Sequence, residues 1–276
     1  MAGRNSRLTI VFVAVVVVAL AAFFGIRTLW RTAQDHFTSS HCDVGQYQLD
    51  TDQASVASTM VGAVSRYRPA LPERAAVLVL AAGLQESKLQ NLAPHTGDRD
   101  SVGVLQQRPS QGWGGGVASR LNDVTEATTE FLAALVRIKH WQKLPLAEAV
   151  QKVQISADGS AYAQHEPEAQ ALADALQGHK PAAISCTFAK PTLVATGTKV
   201  VGLLRQQLPV KHAAAQGKTV RVPGSGWQTV AWFVANADRL GVDSVEYHGK
   251  RWSRESGWQP AKSAGRGAVV ATMATI

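Results

Sequence analysis

The chain has 276 residues, 46% of them hydrophobic, enough for a packed core in one large domain or two modest ones. Its formal net charge of +8 is unevenly spread: residues 41–190 hold 13 Lys/Arg against 15 Asp/Glu, and residues 191–276 hold 11 against four, so the candidate counterparts of the C-terminal part are an anionic polymer, anionic lipid or nucleic acid, with a solvated basic surface that has no partner as the alternative. No GxSxG, HExxH, Walker A or GxGxxG motif stands in a convincing context, and neither CxxC nor a Cys/His metal spacing occurs, so no such motif points to the chemistries they carry.

Residues 1–7 form a short tail with Arg4 and Arg7. Residues 8–26 are an uninterrupted uncharged run, close to the ~20 residues a helix needs to cross ~30 Å of hydrocarbon. A cleaved signal peptide competes, with Ala19-Leu20-Ala21 as its small-x-small triplet. Phe23, Phe24 and Ile26 carry the apolar run past that triplet, which favours an uncleaved signal anchor, single-pass, with the C-terminal bulk extracytoplasmic. One spanning segment is too few for a solute transporter. Residues 27–44 read as a polar stalk. The only two cysteines, Cys42 and Cys186, bracket the acidic middle segment and are expected to form one disulfide, as fits an oxidising compartment, with two unpaired buried thiols as the alternative.

Helices are expected over 54–67, stopped by Arg68-Pro69, and from Pro72 to Ser87. The second is apolar on nearly every face from Val77 to Leu84, so it belongs at a domain centre. A loop dense in Gly, Pro, Asp and Ser runs over 91–116. Helices follow over 122–140, with Asn122 or Asp123 as N-cap, then over 146–156 and 168–176. A short helical stretch over 192–208 precedes an Ala/Gly/Lys-rich segment. Near the C-terminus we expect a helix over 227–240 ended by Gly241, a strand over 242–247 and a strand over 268–273. The fold class is therefore α+β. A mainly helical domain spans 45–187, a linker with a short helix spans 188–217, and a small basic α/β domain spans 218–276, all behind one N-terminal transmembrane helix.

Glu86 stands at the end of the apolar helix, just before the Gly-rich loop. A carboxyl at a buried helix end is partly desolvated, and desolvation favours the protonated form that a general acid needs. An ordinary helix-end Glu in a salt bridge is the plainer alternative.

The run Gln85-Glu86-Ser87-Lys88-Leu89-Gln90-Asn91 is followed by Ser101-Val102-Gly103-Val104-Leu105-Gln106-Gln107. This order resembles the lytic transglycosylase and goose-type lysozyme group, in an actinobacterial cell-wall branch, over roughly residues 45–180. There a catalytic Glu-Ser ends a central helix, and Ser-x-Gly-hydrophobic-hydrophobic-Gln forms the cleft floor. The resemblance implies a lysozyme-like domain cleaving peptidoglycan glycan strands, with Glu86 as general acid and base. It implies substrate-binding roles for Ser87, Ser101, Gly103, Gln106, Gln107 and Trp113. Gly103 would let backbone approach the sugar, the two glutamines would face N-acetyl groups, and Trp113 would stack on a ring. Tyr162 stands where the group often places a cleft tyrosine; a packed core tyrosine is the alternative. The extra water-positioning Asp of goose-type lysozymes would fall on Asp98 or Asp100, which on their own read as an Asx-type turn with an internal ion pair. His95, Asp98 and Asp100 lack a full metal ligand set, so no metal and no cofactor is expected.

The C-terminal segment resembles small domains appended to cell-wall hydrolases, whose wider relatives are zinc folds of the D,D-carboxypeptidase type. The His-x(6)-Asp metal motif is absent, so a second enzyme is not expected. Trp227, Trp232, Trp252 and Trp258 on a basic segment suggest sugar stacking and attraction to an anionic wall polymer, or simply the core of a small domain. No nucleic acid is expected on the outer side of a membrane. The alternative to an enzyme is a non-catalytic peptidoglycan-binding or envelope scaffold protein.

Overall fold

The computed structural model describes residues 40–156, 159–188, 193–261 and 267–275. The expected tail, the anchor over 8–26 and the stalk up to residue 39 lie outside the described residues. Among the described residues, no helix is long and apolar enough to cross a membrane. The class is α+β.

Strand β1 (His41–Val44) turns back into β2 (Tyr47–Asp50), and β3 (Ile184–Thr187) pairs antiparallel on the other side of β1. The end of the expected stalk is therefore strand. Only Cys42 and Val44 point inward, too short an alternation to read from sequence. Cys42 and Cys186 face each other across β1 and β3 and form the disulfide, closing a separation of 144 residues.

Helix α1 (Thr51–Arg66) starts earlier than expected because Asp50 and Gln53 form a capping box, in which the Asp50 amide donates to Gln53 Oε1 at 2.7 Å. Helix α2 (Arg74–Ser87) has every residue from Ala75 to Leu84 buried. A helix with no polar face must be surrounded, and α2 is: α1 packs on it, as do α4 (Val124–Leu135), α5 (Leu146–Gln154), α6 (Ser160–Ala163) and α7 (Glu166–Leu176). Gly83 permits a close approach to α2. A Cβ there would meet Leu89 at 2.9 Å, Met60 at 3.1 Å and Val104 at 3.3 Å. Asp123 caps α4 by accepting from the Thr125 and Glu126 amides. Helix α4 stops at Leu135 rather than running to residue 140. His140 is left-handed, and the turn delivers Trp141 to the core at 3% exposure. A short helix, α3 (Ala118–Leu121), precedes it.

The stretch expected as linker holds α8 (Gly197–Gln207) and strand β4 (Ala214–Gln216). The latter edges a six-stranded antiparallel sheet that also contains β5 (Thr219–Pro223), β6 (Val242–Tyr247), β7 (Lys250–Ser253), β8 (Gly257–Pro260) and β9 (Ala268–Met273), in the order β4-β5-β9-β6-β7-β8. Helices α9 (Trp227–Ala235) and α10 (Ala237–Leu240) lie between β5 and β6 in sequence. The expected helix over 227–240 breaks at Asn236, which is fully buried and spends its amide on Ser55, Trp232 and Arg239.

From Ser40 onward the chain is one compact unit. The C-terminal elements bind the rest of this unit through polar contacts: Ser55 Oγ donates to Asn236 Oδ1 at 2.8 Å in the core, and Trp258 Nε1 donates to the Ile184 carbonyl of β3 at 2.8 Å. Gly62 of α1 faces the Gln207 carbonyl so closely that any side chain would collide with it. The tryptophans serve this packing rather than an open stacking surface. Trp232 and Trp252 are buried, and half-buried Trp227 and Trp258 stack edge-on against each other beside β3.

Candidate active site

Glu86 occupies the last turn of α2, where the helix leaves the core and its side chain becomes half-exposed. The phenol of Tyr162, from α6, donates to Glu86 Oε1 at 2.6 Å. Tyr162 is 2% exposed; burial, and after it the bond to Glu86, pushes its phenol above the ordinary tyrosine value. It therefore stays a donor. No other described residue is bonded to the Glu86 carboxyl, which leaves Oε2 for a ligand.

Ser87 does not face a ligand. It is buried, and its hydroxyl donates to the Val104 carbonyl at 2.8 Å, with the Gly83 carbonyl at 3.2 Å. It thereby joins the end of α2 to the loop expected as the cleft floor. A second tie comes from α5, where Gln154 Nε2 donates to the Leu105 carbonyl at 2.9 Å.

The floor motif is mostly structural. Ser101 is buried, and its amide closes a turn onto the Asp98 carbonyl at 3.0 Å. Gly103 has φ +75, and a Cβ there would collide with the Leu121 carbonyl. The glycine thus makes room for protein backbone, and no sugar is needed to account for it. Gln107 is 2% exposed and gives Nε2 to the Ala127 carbonyl, so it is not offered to an N-acetyl group. Only Gln106 keeps a half-exposed side chain, folded so that Nε2 donates to the Gly103 carbonyl.

Asp100 is a clamp, which corrects its expected water-positioning role. Its Oδ2 accepts the Ser110 amide at 2.8 Å and its Oδ1 accepts Arg108 Nε at 2.8 Å. The Ser110 bonds first, then Arg108, hold its carboxyl well below the usual carboxylate range. Asp98 is exposed and lies 4.0 Å from Arg99. Trp113 is half-buried against the core in a 3-10 turn. Among the described residues no group of three His, Cys, Asp or Glu is placed to hold a metal ion.

Beside Glu86, Gln85 Oε1 accepts from Gln164 Nε2 at 3.3 Å and from His165 Nε2 at 3.0 Å. Burial holds His165 below its ordinary value, toward the neutral ring that carries this one donor. These partners, like Gln154, carry no local signal in sequence, because folding alone brings them to α2. A pocket of about 670 Å³ opens elsewhere, lined by Gln53, Gln90, Asn91, Asn122, Gln206 and Arg239 among others, without Glu86. No family model matches the chain, and no curated protein matches it in sequence.

Proposed function

We propose that the chain cleaves the glycan strands of peptidoglycan at the β-1,4 N-acetylmuramic acid–N-acetylglucosamine bond, as a lysozyme-like lytic transglycosylase. The observation that carries this reading is the setting of Glu86: a half-exposed carboxyl at the mouth of a buried helix, one oxygen held by a buried phenol, the other unclaimed by any described residue. In its protonated form Glu86 gives its proton to the leaving glycosidic oxygen. The substrate's own N-acetyl group stabilises the oxocarbenium-like centre, which removes the need for the second carboxylate of most glycosidases. The Glu86 carboxylate then takes a proton from the sugar's 6-hydroxyl, giving a 1,6-anhydro end, or from water, giving hydrolysis. The enzyme works on the extracytoplasmic side, held by residues 8–26, and its basic C-terminal segment faces anionic wall polymers.

The test is mass spectrometry of fragments released from purified peptidoglycan by the full-length chain beside Glu86→Gln. Anhydro-muropeptides from the wild type alone are the expected result, and reducing ends would identify a lysozyme. Retained wall binding with no release by either protein would establish the non-catalytic alternative.

A further inference from the structure

Ile155 ends helix α5 in the left-handed conformation, with φ +54 and ψ +37. Glycine or asparagine ordinarily stands at such a position, because a β-branched side chain crowds its own backbone there. Its side chain is also 82% exposed. The other large apolar side chains exposed among the described residues are Val117, Val136 and Leu193, at 47%, 41% and 62%, and none of them has a positive φ. Strain and exposed apolar surface therefore coincide at this one residue.

The chain on both sides of it is fastened to the Glu86 site. Gln154 is bonded to the Leu105 carbonyl on the floor loop. Gln151 Nε2 holds the Ser156 carbonyl at 3.2 Å, and helix α5 packs against α6, which carries the phenol that holds Glu86. Residues kept in sparsely populated conformations by their surroundings cluster at ligand clamps.

We propose that Ile155 is a substrate-contact residue, presented at the rim of the Glu86 site to the C–H face of a pyranose ring next to the scissile bond. This rests on the glycan-strand reading. An aliphatic side chain in contact with that face removes apolar surface of both partners from water, and the fixed backbone spends no ordering entropy on doing so. The contact is made equally in ground and transition states, so it acts on KM rather than kcat.

Full-length wild type, Ile155→Asn and Ile155→Leu are compared in thermal unfolding and in cleavage of purified glycan strands. Ile155→Asn relaxes the backbone and is expected to raise Tm by about 2–4 °C. It is expected to raise KM about 5-fold with little change in kcat, whereas Ile155→Leu keeps the wild-type KM. A higher Tm with unchanged KM in Ile155→Asn overturns the proposal. If the wild type releases no fragments, the cleavage reading fails, and co-sedimentation with insoluble peptidoglycan then decides the contact. Weaker retention of Ile155→Asn supports it; equal retention, or no retention of the wild type, overturns it.

Discussion

Among the described residues Glu86 is held from one side only, which leaves its second carboxyl oxygen open. Oε1 is fixed by a phenol that is itself buried, so the carboxyl cannot rotate freely about its last bond. Because burial and the Glu86 bond both push the phenol upward, it remains a donor through neutral and mildly alkaline pH. Tyr162→Phe removes that donor while keeping the ring that fills the core. A hydrogen bond to a charged group is worth about 1.5–3 kcal/mol, so kcat should fall roughly 10- to 100-fold if the phenol positions the acid. Tm should change little by comparison. Release of glycan fragments at saturating substrate, read beside thermal unfolding, separates the outcomes: an equal loss of Tm with unchanged kcat would leave Tyr162 as core packing. The wild type minus Tyr162→Phe absorbance difference at high pH should also show a phenol ionising above the ordinary tyrosine range. Glu86 was legible in the sequence because a charge after a long apolar run is conspicuous. Tyr162 could be suggested only by resemblance, since 76 residues separate it from its partner.

Helix α2 and the loop behind it show where local pattern informs and where it misleads. The apolar run from Ala75 to Leu84 announces a buried helix without help from any other part of the chain. The loop motif was equally visible, yet its residues mostly hold the loop itself. Gly103 yields space to the Leu121 carbonyl, Gln107 is bonded to the Ala127 carbonyl, and Ser101 closes a turn. Residue type suggests what a side chain can bond, and only tertiary contacts decide whether the partner is protein or ligand. Asp100 is the clearest case, as both oxygens are taken by Ser110 and Arg108 across the loop. Its folded value is depressed, so its contribution to stability is present in full above the unfolded value near pH 4. The contribution declines as the pH falls below that, toward the depressed folded value. The Tm difference between wild type and Asp100→Asn should therefore be constant from pH 7 to about pH 5 and shrink steadily in more acidic buffer. A difference that grows on acidification would contradict the clamp.

At the scale of the whole molecule, sequence pattern suggested two domains and a linker because composition and charge change near residue 190. The strand over 242–247 was readable from its alternation and 268–273 stood as a second candidate, whereas β1 to β3, β4, β7 and β8 are too short to show an alternation. What composition could not show is that the C-terminal elements complete the core of the helical part. Helix α1 illustrates the point. On one side it faces α2 and α4, and on the other α8 and α9. Its contacts there are specific: Gly62 accepts the Gln207 backbone at a distance no side chain would allow, Ser55 bonds Asn236, and Arg66 Nη1 donates to the Arg205 carbonyl at 2.9 Å. Ala54, Ala57, Met60, Val61 and Val64 are all nearly inaccessible in the intact chain. Ending the chain after Phe188 keeps Glu86, Tyr162 and the disulfide but strips that second face and leaves polar groups such as Ser55 without partners. A self-sufficient catalytic domain would survive the cut with its cooperative melting and near-ultraviolet circular dichroism intact. The packing requires the opposite. The truncated chain should retain helical far-ultraviolet signal, lose near-ultraviolet signal and cooperative melting, and bind the dye ANS, as expected when secondary structure outlives specific packing. A sharp two-state melt of the truncated chain within a few degrees of the full-length Tm would show that the C-terminal elements merely rest against α1.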